Sequence, residues 1–108
     1  MKIEVTDILN AKSNDNDSGN VKMWFDAVLF NEIQICGCKV MLTDGNLWVA
    51  LPSKPSSRNP KNYFLSVKFV SGREVNDMFT EQCLALLNKK SGEGTLKDSK
   101  DNLVTVNF

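Results

Sequence analysis

The sequence predicts an α+β fold: an antiparallel β-sheet of about five strands, with one C-terminal amphipathic helix packed on one face. Three observations lead there. Val21 to Asn31 alternates residue by residue, Asp44-Gly45 joins two apolar runs as a hairpin turn, and apolar side chains recur at helical spacing from Val75 to Leu87. At 108 residues the chain is one domain with a modest core, near the size at which oligomerisation helps.

The elements follow in order. Residues 2–9 read as a strand with Ile3 and Val5 on one side. Residues 10–20 are turn formers throughout and read as a loop. Its Asn/Asp run lacks the closing glutamate and flanking helices of a calcium loop, so it is read as solvated chain. In the next strand Val21, Met23, Phe25, Ala27 and Leu29 share one face. The other carries Trp24, Val28 and Phe30 and is apolar enough to need a second cover. Two strands then flank Asp44-Gly45, whose residues accept the positive φ of a tight turn. Pro52 cannot donate to a ladder and ends the second of them. Residues 53–62 form a polar, basic loop, and Tyr63 to Val70 returns as a strand. Ser71 and Glu74 have the spacing of a capping box, which starts a helix over 72–89. Lys89 and Lys90 suit its negative end, and Gly92 and Gly94 stop it. Val104, Val106 and Phe108 alternate and allow a short final strand.

Composition narrows the function. Net charge is zero and no histidine is present, so no imidazole base or Ser-His or Cys-His pair is available. Glu74, Asp77 and Glu81 fall on the expected exposed helix face, and the chain is read as non-enzymatic. Three cysteines, an odd number, argue against a disulfide framework and for a reducing compartment. With no apolar run of bilayer length, the expected localisation is cytoplasmic. Cys36 and Cys38, two apart on a strand, should lie on one side. With Cys83 they would make only three metal ligands, so buried free thiols without metal are expected, and no cofactor.

Charge is unevenly spread. Six basic residues lie from Lys39 to Arg73 against one acid, Asp44, while the remainder holds seven basic residues and twelve acids. Cations contact phosphates and aromatic faces stack on unpaired bases. Lys54, Arg58 and Lys61, flanked by Trp48 and by Tyr63-Phe64, are therefore the first candidates for nucleic-acid binding. Lys39, Lys68 and Arg73 are the second set.

The stretch Ile33–Lys54 resembles the SpoVG family (stage V sporulation protein G, or septation protein). Gly37, Lys39 and Val40 match its Gly-x-Lys/Arg-Val core. Gly45, Val49, Ala50, Pro52, Ser53 and Lys54 match the strand closing on Met-Pro-Ser-Lys, with Leu51 replacing the Met. The opening strand Ile3 to Asp7 and the helix after residue 71 extend the resemblance over roughly residues 1–88, with a SpoVG-like domain at 1–90 and a C-terminal extension at 91–108. The chain departs where the family carries Asp-Ile-x-His-Pro-Ile-Asn and this sequence has Phe64 to Ser71. The resemblance implies a divergent member, and a homodimeric DNA- and/or RNA-binding regulator of the kind connected with sporulation and septation. Trp24, Val28 and Phe30 are the expected dimer interface. A different reading rests on the acidic excess and the tail: a module that binds protein partners through a sheet edge or the C-terminal tail.

Overall fold

A computed structural model describes residues 2–14, 20–59, 62–92 and 96. Four strands form one antiparallel sheet in sequence order: β1 (Val5–Ser13), β2 (Val21–Leu29), β3 (Ile33–Thr43) and β4 (Asn46–Ala50). Two three-residue strands, β5 (Ser53–Pro55) and β6 (Tyr63–Leu65), pair separately as a hairpin. One helix, α1 (Arg73–Ser91), follows. The class is α+β, with the fifth strand withdrawn from the main sheet. The strand expected over 63–70 ends at Leu65, where the Ser66 amide donates to the Pro52 carbonyl at 2.8 Å. Val67 and Phe69 still pack on the core, but from irregular chain.

The core lies between the sheet and α1. The inner face presents Val5 and Ile8, then Met23, Phe25, Ala27 and Leu29, then Ile35, Cys38 and Val40, then Leu47 and Val49. Against it α1 buries Val75, Phe79, Cys83, Leu84 and Leu87, and Leu96 is buried in the same core. Phe79 meets Phe69 edge to face, with centroids 5.2 Å apart. The helix also ties both outer strands of the sheet. Gln82 accepts from the Val5 amide at 2.7 Å and donates to the Ile3 carbonyl at 3.1 Å. On the far side the Val49 amide donates to the Thr80 hydroxyl at 3.2 Å.

Helix entry differs from expectation. Gly72, at φ 69°, occupies the N-cap, and no side chain caps the helix. Ser71 belongs to the preceding turn, closed by the Gly72 amide on the Phe69 carbonyl. Glu74 instead meets Lys2 Nζ at 2.9 Å. The stop at Gly92 is as expected.

Three further readings are adjusted. β1 runs to Ser13 rather than stopping at residue 9. Asn10 takes φ 55°, a conformation asparagine tolerates, and makes a bulge there. Pairing then resumes at Lys12 with Trp24. Ser53–Pro55 is strand, not loop, because Pro55 sits at the strand end, where its missing amide hydrogen costs little. Asp44 and Gly45, at φ 52° and 77°, form the expected tight turn. The acidic run at 15–19 and the final strand at 104–108 lie outside the described residues.

Candidate nucleic-acid interface

The outer face of the sheet is built by two bulges. In β3 the register steps from Phe25↔Cys38 to Ala27↔Ile35, so Cys36 and Gly37 together oppose Asp26. Gly37, at φ 85°, takes the conformation this bulge needs. Its amide donates to Asp26 Oδ1 at 3.0 Å. The other carboxylate oxygen accepts from Asn10 Nδ2 at 2.8 Å and Gln34 Nε2 at 3.1 Å. Asp26 thus joins the β1 bulge to the β3 bulge across β2. Its carboxyl is held below the ordinary carboxylate pKa, first by Asn10, with burial opposing next in size and the Gly37 amide and Gln34 then adding to the lowering.

The β3 bulge changes which residues face outward. Cys36 is exposed while Cys38 is buried, so these thiols do not share a side as the spacing suggested. Burial pushes the Cys38 thiol up to about 12 and raises the buried Cys83 thiol as well. Lys39 falls on the outer face as a consequence.

Register then assembles a row. Lys12 lies opposite Trp24, Trp24 opposite Lys39, and Lys39 opposite Ala50. Directly opposed side chains on one face stand about 5 Å apart at Cβ. Two residues further along β3, Met41 lies opposite Trp48. Trp24 and Trp48 are 39% and 42% exposed, high for indoles in a sheet. Trp48 Nε1 donates to the Thr43 hydroxyl at 3.1 Å, which orients its ring.

Where this face turns the edge of β4 it meets a cleft of about 520 Å³, enclosed by β4, the β5–β6 hairpin and the first half of α1. Lys39 and Trp48 line it from the sheet, Tyr63 from the hairpin, and Asn76, Asp77 and Thr80 from the helix.

The predicted cations are therefore divided. Lys39 reaches both the row and the cleft. Arg73 reaches the cleft rim through Asp77, its Nε 3.8 Å from Asp77 Oδ2. Ser53, Tyr63 and Leu65 line the cleft, so alternation turns Lys54 to the other face of the hairpin. Arg58 is exposed at the hairpin tip and Lys68 is exposed between β6 and α1. Lys61 lies outside the described residues. Lys12 was missed because its segment reads as loop until the Asn10 bulge restores its pairing.

The residues expected at a dimer interface are also divided. Trp24 and Val28 share the outer face, but the Asp26 cluster stands between them. Phe30, 47% exposed, sits in the β2–β3 turn at φ 53°. Among the described residues no group of three or more Cys, Asp or Glu is arranged to hold a metal, and no helix is long and apolar enough to cross a membrane. Comparison of the chain with protein-family models and with curated proteins finds no match.

Proposed function

We propose that this chain is a non-enzymatic, nucleic-acid-binding regulatory protein of SpoVG type that works as a homodimer. The carrying observation is the cross-strand row Lys12–Trp24–Lys39 beside Trp48. A cationic and aromatic sheet surface suits phosphates and base faces together, whereas a surface for an apolar protein partner would not alternate lysine with tryptophan. The resemblance of residues 33–54 to the family supports the same reading. Lys54 and Arg58 give a second contact region on the hairpin, and Lys61 is kept with them as a candidate from the sequence. Zero net charge goes with modest affinity and a shallow salt dependence.

Fluorescence anisotropy with labelled DNA and RNA, at several salt concentrations, tests this. Wild type should bind at low salt. Lys12→Ala with Lys39→Ala should weaken binding and flatten the log K against log salt slope by up to about two units. Lys54→Ala, Arg58→Ala and Lys61→Ala together should flatten it by up to about three. Absence of wild-type binding to every oligonucleotide at low salt removes the proposal and leaves a protein-binding module in its place.

A further inference from the structure

We propose that the cleft between β4, the β5–β6 hairpin and α1 receives an unpaired nucleobase, so that single-stranded nucleic acid is the preferred ligand. This rests on the nucleic-acid reading above and adds to it the form of the ligand and the place where a base is held.

Size is the first argument. A cleft of about 520 Å³ falls within the range of about 300–1,000 Å³ typical of pockets for small organic ligands. It can take a base, but not a duplex. Its lining is the second. Trp48 comes from the sheet and Tyr63, 67% exposed, from the hairpin, so two aromatic side chains from separate elements border one space. Aromatic faces stack on any base once it has left its neighbours. A duplex keeps its bases stacked and paired and cannot offer one to such a cleft without breaking both.

Polar groups supply the third argument. Asn76, Asp77 and Thr80 line the side formed by α1. Asn76 carries both a donor and an acceptor suited to a base edge. Among the described residues, Asp77 pairs with Arg73 at 3.8 Å on the surface, a type of contact that is easily exchanged. Thr80 already accepts from the Val49 amide, which fixes its hydroxyl at the cleft wall.

Continuity is the fourth. Lys39 belongs both to the cleft and to the row running back through Trp24 to Lys12. Trp24 and Trp48 stand on strands two apart, about 10 Å in the hydrogen-bonding direction. A strand whose base enters the cleft can therefore lay its phosphates on Lys39 and Lys12 and a further base on Trp24.

The test uses the full chain and three labelled probes: a mixed-sequence single strand, its duplex, and an abasic strand of equal length. Wild type should bind the single strand about tenfold more tightly than the other two. Trp48→Ala and Tyr63→Ala should lose most of that margin, while Trp48→Phe and Tyr63→Phe should keep it. Circular dichroism melts check that each variant folds. A second readout is independent of the alanine variants. Trp24→Phe leaves Trp48 as the sole tryptophan, and its emission should be quenched by the single strand but not by the abasic strand. Equal affinity for single strand and duplex, an unchanged margin in the folded alanine variants, or equal quenching by the abasic strand overturns the cleft proposal while nucleic-acid binding stands. Failure to bind all three probes removes the underlying reading as well.

Discussion

The amide of Gly37 donates to the carboxylate of Asp26 at 3.0 Å, and this contact holds the bulge that turns Lys39 toward the outer face. In an unbulged strand Lys39 would share the side of Ile35, which is buried. Its pairing with Trp24 and its access to the cleft therefore depend on one hydrogen-bonded glycine.

Gly37→Ala should destabilise the fold by about 1–2 kcal/mol, because φ 85° is unfavourable for any residue with a Cβ. Among the described residues other than its chain neighbours, none brings a heavy atom within 4 Å of the added carbon, so the loss is conformational rather than steric. Urea unfolding measures it. A change within error of zero would mean that the bulge relaxes at no cost.

Asp26→Asn should cost about 1 kcal/mol at neutral pH, since an amide cannot accept from Gly37, Asn10 and Gln34 together. The sign with pH follows from the lowered pKa. The folded state prefers the carboxylate, so its contribution is complete well above the ordinary value of 3.8 and disappears as pH falls through the folded value. Asp7, lowered by the Ile8 amide and then by Lys90, acts in the same direction. Unfolding midpoints of wild type and variant should therefore converge as pH falls below the folded value, and a gap that persists in acid would refute the assignment.

One thiol of three should react with a disulfide reagent in the native protein at pH 8. Cys36 is exposed, whereas Cys38 and Cys83 are buried with raised pKa values. Unfolding in denaturant should release the other two. Three fast-reacting thiols without denaturant would contradict the burial, and stoichiometric zinc in protein purified without added metal would overturn the expectation of free thiols.

Phe79→Ala should lower stability by about 3–5 kcal/mol. The ring is fully buried and meets Phe69 edge to face, so truncation leaves a cavity at the centre of the helix–sheet contact. That is a large share of the roughly 5–15 kcal/mol typical of a domain. A midpoint shift equivalent to less than about 1 kcal/mol would show that the core collapses around the gap.

Light scattering should give twice the 12.1 kDa chain mass at micromolar concentration. The proposed contact is Val28 on the outer face with Phe30 in the adjoining turn, which leaves Trp24 and Trp48 to the ligand. Burial there would gain roughly 25 cal/mol per Å² of apolar surface. Phe30→Ser should return the mass to that of one chain, and a monomeric wild type would sink the dimer.

The sequence by itself determined the elements whose signals are local. Strict alternation from Val21 to Leu29 forced one buried face, and all four residues from Met23 to Leu29 on that face are buried. Asp44-Gly45 specified its turn because only a few residue types tolerate positive φ at both positions. The spacing of Val75, Phe79, Cys83 and Leu87 fixed the helix face, since one stripe must meet the sheet. Tertiary structure decided the rest. Bulges at Asn10 and Gly37 answer to a carboxylate on another strand, so neither local composition nor period could reveal that Lys12, Trp24 and Lys39 align. Ser71 lost its capping role because the chain enters the helix through Gly72 in a conformation set by the preceding turn. Tyr63 entered the cleft only because β6 pairs with β5 instead of with the main sheet. Periodicity is a property of one segment, while register and strand partnership belong to pairs of segments distant along the chain.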